Sequence, residues 1–171
     1  MRLATLILLL GMSAVPTRPA YAFCYEGAGN RYGISPNILY AISKGESSFN
    51  PIAINYNTNG SYDYGLMQIN SSWEPTLRKL GIPWGTLANP CINVMVGAWF
   101  LSQCIRDYGY TWLAVGCYNS RTPSKRDRYA ARIARIVRQE QPHQRVKKIA
   151  AITDTSKMTP WEEAFCIVAS R

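Results

Sequence analysis

The sequence predicts a mainly α-helical domain with one small β-hairpin, followed by a basic helical tail. Two observations support this prediction. Apolar residues recur at helical spacing in segments 36–44, 90–108 and 128–138. Between the first two lies segment 53–70, which is rich in asparagine, glycine and tyrosine and alternates too briefly for a helix. At 171 residues, the chain has the length of one domain.

The first long helix is predicted to begin at Ser35 and Pro36, since serine is a common N-cap and proline fits the first helical turn. Its apolar periodicity continues to about Lys44, and Pro51 prevents any extension. Glu46 is therefore expected at or just past the last helical turn, an unusual place for an isolated acid.

The β-hairpin is predicted to have Asn59-Gly60 at its tip. A second long helix should begin at Asn89-Pro90 and end at Gly109, with short helices before and after it. The last predicted helix covers about 128–138, where an arginine face lies opposite an apolar face. Gln141-Pro142 is expected to end it.

Residues 1–22 are typical of a secretory signal, with a basic start, an apolar run and a small-residue cleavage site after Ala22. The apolar run is too short to span a membrane, so removal is predicted instead of anchoring. The mature protein would begin at Phe23 in the periplasm. The alternative, a lipid-modified Cys24, is disfavoured because the bulky Phe23 precedes it.

The exported chain has five cysteines and one histidine, His143. Export to an oxidising compartment favours disulfides, and the odd number leaves at least one thiol unpaired. The sequence has no CxxC pair. Metal ligation, a bound cofactor and Cys-His or Ser-His catalysis are therefore not expected.

Charge divides the chain near residue 120. Segment 23–120 has five basic and five acidic residues, whereas segment 121–171 has twelve basic and five acidic residues. We interpret 23–120 as the catalytic domain and 121–171 as a basic C-terminal extension. Nucleic-acid binding by the extension is disfavoured because no recognition motif accompanies the charge and the chain is predicted to be exported.

Glu46 is the candidate for acid-base chemistry. The negative end of a helix dipole and partial burial both favour the protonated form of a carboxyl group. A protonated carboxyl near neutral pH is what general-acid cleavage of a glycosidic bond requires. From position alone, the alternative of an ordinary exposed acid at a helix end is favoured.

Three motifs in order, ESSFNP at 46–51, GLMQIN at 65–70 and AVGCYN at 114–119, resemble those of the soluble lytic transglycosylases. That family has a goose-type-lysozyme-like fold. The chain is most similar to small exported members associated with type III and type IV secretion, pilus and conjugation systems. The resemblance extends from about Cys24 to Asn119.

The resemblance implies cleavage of the MurNAc-GlcNAc bond of peptidoglycan with formation of a 1,6-anhydro ring. Glu46 matches the catalytic acid, and Asp63 matches an acid present in some secretion-associated relatives. The alternative for Asp63 is a turn residue that binds backbone amides. The positions implied to bind substrate are Ser47, Met67, Gln68, Tyr118 and Asn119.

The resemblance also implies a disulfide between Cys24 and Cys91, as in small relatives, and leaves the pairing of Cys104, Cys117 and Cys166 open. Two alternatives to the transglycosylase remain. One is a glycan-binding assembly factor of a secretion machine, and the other is a lysozyme-type hydrolase. The arginine face of the tail is expected to stay free, away from Glu46, and to bind anionic wall material or a partner.

Overall fold

The computed structural model describes the backbone of residues 20–153 and the side chains of residues 24–140. Most of the predicted signal segment, Cys166 and the end of the tail lie outside the described residues. The described part is helical apart from one small sheet, which confirms the predicted fold class. Its helices are α1 (Ala20–Tyr32), α2 (Pro36–Ser47), α3 (Glu74–Lys79), α4 (Pro90–Tyr108), α5 (Trp112–Asn119) and α6 (Pro123–Thr153), and its strands are β1 (Ile54–Tyr56), β2 (Tyr62–Tyr64) and β3 (Ile69–Asn70).

Helix α2 ends with two residues in the left-handed region, Ser48 and Phe49, at φ of 52° and 68°. Their amides donate to the carbonyls of Lys44 and Ser43, which closes the last turn. The helix therefore includes Glu46 in its last turn. At the start of α2, Pro36 is present as predicted, but the Ser35 side chain makes no capping hydrogen bond.

The sheet has three antiparallel strands in the order β1-β2-β3. The sequence predicted only the hairpin formed by β1 and β2, because β3 is two residues long and too short to show a period. The register aligns Asn55 with Asp63 and Asp63 with Asn70. These three polar side chains consequently share one face of the sheet.

Helix α4 is the centre of the helical body and packs against both α1 and α5. Asn89 caps its start: its Oδ1 accepts from the amides of Cys91 and Ile92 at 2.9 and 3.3 Å. Leu101 of α4, Leu39 and Ile42 of α2, and Ile133 of α6 are fully buried in one core. Because α6 contributes to this core, its first turns belong to the catalytic body.

Two disulfides cross-link the helices. Cys24 is joined to Cys91 with a Cα–Cα distance of 5.0 Å, which fastens α1 to the start of α4. Cys104 is joined to Cys117 at 5.8 Å, which fastens α4 to α5. In the chain-entropy model, closing loops of these sizes contributes about 4 and about 3 kcal/mol. The structure thus contains the implied disulfide and supplies a pairing that the sequence left open.

Helix α6 begins earlier than predicted and continues past Pro142 to Thr153, so the expected stop at 141–142 is wrong. An interior proline removes one backbone hydrogen bond and tends to kink a helix, yet the turns on either side can continue it. Within the described residues, no helix is both long and apolar enough to cross a membrane.

Candidate active site

Glu46 lies in the last turn of α2 with only 14 % of its side chain exposed. Burial removes water from the carboxylate and is the largest influence on its acidity, raising the pKa of Glu46 above its usual value. The nearby Asp63 carboxylate raises the pKa further, because two negative charges repel.

Two side chains of α6 contact this carboxyl group. The Tyr129 hydroxyl donates a short hydrogen bond to Glu46 Oε1. Arg132 Nη2 lies 3.4 Å from the same oxygen, while Arg132 Nη1 donates to the Gly45 carbonyl at 2.6 Å. Both contacts favour the ionised form and lower the pKa of Glu46, but burial prevails and the net shift is upward. Burial therefore favours the protonated form of Glu46, while Tyr129 and Arg132 are placed to stabilise its carboxylate form.

Gly45 allows α6 to come this close to α2. A Cβ atom at this position would lie 2.8 Å from Ile133 Cδ1 and 3.2 Å from Ile136 Cδ1. Carbon atoms normally pack at about 3.5–4.0 Å, so any larger residue would push the two helices apart. The glycine directly before Glu46 in the sequence is thus explained by the packing that brings Tyr129 and Arg132 to the acid.

The loop between β2 and β3 lies across the site from α6, and the buried Asn93 of α4 holds its backbone in place. Asn93 is fully buried; its Oδ1 accepts from the Met67 amide at 2.8 Å, and its Nδ2 donates to the Tyr64 and Leu87 carbonyls at 3.2 Å. Gly65, at φ +80°, leaves no room for a Cβ beside this amide. Asn93 is therefore a structural residue that the sequence motifs did not reveal.

Gln68 lines the cleft with its backbone at a positive φ of 51°. Its Nε2 donates to the Gly65 and Ala53 carbonyls at 2.8 and 3.2 Å, and its Oε1 accepts from Asn55 at 2.6 Å. In the structure the amide fixes the loop, whose strained backbone is typical of functional sites. Because Gln68 also lines the cleft, its contact with a sugar stays a prediction.

Ser47 and Met67 are not among the residues that line this cleft, and their contact with substrate stays a prediction. The Ser47 hydroxyl donates to the Leu66 carbonyl at 2.8 Å and so ties the end of α2 to the loop. The Met67 side chain is fully buried and packs on Gly97 of α4, because the loop turns its apolar residues into the core. Both residues position the wall of the cleft.

Asp63 accepts two hydrogen bonds from side-chain amides, from Asn70 to Oδ1 at 2.8 Å and from Asn57 to Oδ2 at 3.1 Å. It lines the same cleft as Glu46 and is close enough to influence the pKa of that residue. The partners are side chains, whereas the turn alternative predicted backbone amides. The two amides hold the carboxylate in a fixed direction.

Tyr118 and Asn119 end α5 and line the cleft. The Tyr118 hydroxyl donates to the Met67 carbonyl at 2.8 Å, and its ring is stacked on that of Tyr129 with the centroids 6.4 Å apart. Burial raises the pKa of both tyrosines well above the usual value, so both hydroxyls remain donors. The tyrosine that contacts Glu46 is therefore Tyr129, which the sequence placed only on the apolar face of the last helix.

The site opens into a cleft of about 680 Å³ that runs between the sheet and helices α4 and α5. Its lining is mostly polar, as expected for a surface that binds sugar hydroxyls. Of the predicted site residues, those that line the cleft are Glu46, Asp63, Gln68, Tyr118 and Asn119.

The prediction that the arginine face stays free and away from Glu46 is wrong for Arg132. Arg132 contacts Glu46 and Gly45, and its guanidinium carbon lies 4.9 Å from the centre of the Tyr129 ring. Arg128 and Arg135 are exposed, as predicted. A helical period places an arginine one turn after Tyr129 on the side that meets α2, so the acid lies within its reach.

A helical body, a small antiparallel sheet and one buried acid beside an open polar cleft define the lysozyme-like class of glycan-cleaving folds. Residues 23–135 match the family model described as "Transglycosylase SLT domain". The chain belongs to this family and is a lytic transglycosylase. The match ends fifteen residues beyond the predicted boundary at residue 120 and includes Tyr129 and Arg132.

Two similar proteins come from Salmonella and Shigella. The chain is 46 % identical over 119 residues to invasion protein IagB of Salmonella typhimurium, covering 67 % of this chain and 74 % of that protein. It is 40 % identical over 131 residues to protein IpgF of Shigella sonnei, covering 76 % of this chain and 83 % of that one.

Among solved structures, the fold is similar to that of an inactive mutant of the lytic transglycosylase Slt from Pseudomonas aeruginosa. The TM-score is 0.58 at 22 % identity, over 73 % of this chain and 24 % of that chain. The similarity covers only a part of the larger protein, and at this identity it shows a shared fold.

Proposed function

We propose that the protein cleaves the β-1,4 bond between MurNAc and GlcNAc in peptidoglycan and leaves a 1,6-anhydro end on the muramic acid. The observation that carries this proposal is the Glu46 carboxyl group, buried enough to favour its acid form and placed beside an open polar cleft. Membership of the transglycosylase family supports the substrate class.

In the first step, the protonated Glu46 donates its proton to the oxygen that bridges the two sugars, and the bond from that oxygen to C1 of the muramic acid breaks. The carboxylate that results accepts hydrogen bonds from Tyr129 and Arg132, which stabilise the negative charge. Burial favours the acid before the step, and the two donors favour the carboxylate after it.

In the second step, Glu46 takes the proton of the 6-hydroxyl of the same muramic acid as the hydroxyl oxygen bonds to C1. The proton lost in the first step is thereby recovered and no water is consumed. Asp63 stabilises the positively charged C1 centre between the steps in this proposal; its place in the same cleft and its two amide partners support this role.

Asp63 also supports a second candidate, hydrolysis of the lysozyme type. A second carboxylate near the acid is the arrangement that hydrolases use to stabilise or trap the sugar cation. The two reactions give different products, since an anhydro end is one water lighter than a reducing end.

Mass spectrometry of fragments released from purified peptidoglycan tests both candidates. We expect anhydro ends from the native protein and no fragments from the Glu46→Gln variant, which keeps the shape of the side chain but cannot transfer the proton. Reducing ends would instead identify a hydrolase. Turnover by the variant would refute the role of Glu46.

We further propose that cleavage occurs in the periplasm, after removal of residues 1–22, and opens the wall locally for a secretion, pilus or conjugation apparatus. The name of one relative, invasion protein IagB, is in keeping with this setting. Loss of apparatus assembly in cells that carry only the Glu46→Gln variant would support it. Normal assembly in those cells would separate the enzyme from the apparatus.

A further inference from the structure

Three cationic residues lie along one side of α6: Lys125, Arg128 and Arg132, separated by three and four positions. Together with Asn119 and Tyr129 they line a shallow depression of about 320 Å³, here called the cationic shelf. Nothing in the family motifs or the catalytic steps requires Lys125 or Arg128.

The cationic shelf adjoins the cleft. Asn119 and Lys125 line both, and Arg132 at the inner end of the shelf contacts Glu46. A group bound on the shelf would therefore belong to a sugar that lies next to the catalytic acid. This position favours a substituent of the substrate over a separate molecule.

Within residues 24–140, most of the positive charge of the shelf has no acidic partner. Other arginines of this region have acidic partners, such as Arg121 with Asp107 at 2.6 Å. Lys125 and Arg128 have no carboxylate within ion-pair distance among the side chains that the structure describes. Arg132 has only Glu46, which burial biases toward its neutral form.

We infer that the cationic shelf binds carboxylates of the acidic peptide stem carried by the muramoyl sugar next to the bond that is cleaved. This inference rests on the proposed function. The glycan backbone is uncharged apart from its muramoyl side chains, and the peptide stem is the substituent that extends from the sugar with several carboxylates. Arginine and lysine in a concave, water-accessible setting suit such carboxylates.

Binding on the shelf also has a consequence for catalysis. In the free protein, Arg132 lowers the pKa of Glu46, against the upward influences of burial and Asp63. A stem carboxylate bound to Arg132 would offset its positive charge and weaken its effect on Glu46, while the Tyr129 hydrogen bond remains. The acid form required for the first step would thus persist to higher pH on substrates that carry stems.

The test compares an Arg128→Gln variant with an Arg78→Gln control on α3, since Arg128 lines the shelf but not the cleft. The control removes the same charge from an exposed position outside the cleft. The substrates are soluble glycan strands with peptide stems and the same strands after an amidase has removed the stems. Lys125 and Arg132 are left intact because Lys125 lines the cleft and Arg132 contacts the catalytic acid.

We expect the shelf variant to raise KM about threefold on strands with stems, as one exposed charge pair allows, with kcat little changed. On strands without stems, whose only carboxylate is the lactyl group that the amidase exposes next to the ring, its KM should equal that of the native protein. The control should behave as native on both substrates. The effect on strands with stems should shrink as salt is added.

An equal loss on both substrates would overturn the assignment to the stem, and so would no loss on either. A shelf variant that loses binding to anionic phospholipid vesicles but keeps its KM on strands with stems would assign the shelf to lipid instead. The vesicles for this arm contain phosphatidylglycerol.

Binding measured in the Glu46→Gln background separates the inference from the proposed function. Weaker binding of stem-bearing strands when the shelf variant is added supports the shelf even if the native protein releases no anhydro products. Normal production of anhydro ends with unchanged binding by the shelf variant refutes the shelf alone.

Discussion

Replacement of Gly45 by alanine tests whether the contact between α2 and α6 positions Tyr129 and Arg132 against Glu46. The added Cβ would lie 2.8 Å from Ile133 Cδ1, where carbon atoms pack at about 3.5–4.0 Å. Ile133 is fully buried and cannot turn into solvent. Relief of the overlap therefore requires α6 to move by about 1 Å relative to α2, carrying Tyr129 and Arg132 away from Glu46.

Two energies oppose each other in this variant. Overpacking of a buried contact costs about 1–3 kcal/mol. Alanine in a helix is about 1 kcal/mol more favourable than glycine. We expect a net loss of about 1 kcal/mol in the free energy of unfolding and a fall in Tm of about 2–4 °C. Activity should fall more, by about tenfold or greater, because displacements near 1 Å at a catalytic group have large effects.

The assay combines thermal unfolding with the rate of release of anhydro fragments. The control is Gly27→Ala in α1, where an added Cβ meets nothing within 4 Å. This control should gain about 0.5–1 kcal/mol and keep full activity. A double variant, Gly45→Ala with Ile133→Val, removes the overlapping Cδ1 atom and should recover activity although the buried methyl is lost.

A Gly45→Ala protein that unfolds at a higher temperature than the native one, with unchanged activity, would refute the reasoning. The helices would then tolerate the extra methyl without moving α6. Failure of Ile133→Val to restore activity, with stability recovered, would show that Gly45 acts on the site by another route.

Three further predictions concern the charged groups of the site. The pKa of Glu46 is raised in the folded protein, so the stability of the native protein falls as pH rises from the unfolded-state pKa to the folded-state pKa. The Glu46→Gln variant cannot ionise, so its Tm should exceed that of the native protein at neutral pH but not at low pH. An equal Tm difference at every pH would contradict this. Tyr129→Phe removes a hydrogen bond that lowers the pKa of Glu46, so the alkaline limb of the pH-rate profile should move to higher pH. The control is Tyr118→Phe, which should leave this limb in place because the Tyr118 hydroxyl binds a backbone carbonyl. Asp63→Asn should lower the rate in part with KM little changed, and an unchanged rate would leave Asp63 a purely structural role in the sheet.

The sequence by itself predicted the helical class, the bounds of α4 to within a residue or two, and the placement of Glu46 at the end of α2. These features depend on local rules: apolar periodicity, asparagine and proline at helix starts, and glycine at helix ends. The order of the three motifs also indicated the family before any contact was known.

Some contacts of the site were not predicted because their causes are not local. Met67 and Gln68 are neighbours in one motif, yet the Met67 side chain lies in the core while the Gln68 amide donates to two backbone carbonyls at the cleft. Asn93, which holds that loop, is 26 residues from its partner Met67. A contact across such a distance in sequence leaves no periodic signal.

The tertiary structure alone decided which residues contact Glu46 and influence its pKa. Charge composition placed a boundary near residue 120 and assigned the following arginines to a free surface. Packing of α6 on α2 instead brings Tyr129 and Arg132, 83 and 86 residues away in sequence, to one oxygen of Glu46. The sequence determined that α6 is amphipathic. The rotation of α6 and its distance from α2 depend instead on the contact between Gly45 and the buried Ile133. Close packing of these two helices fixes which side chains of α6 contact Glu46.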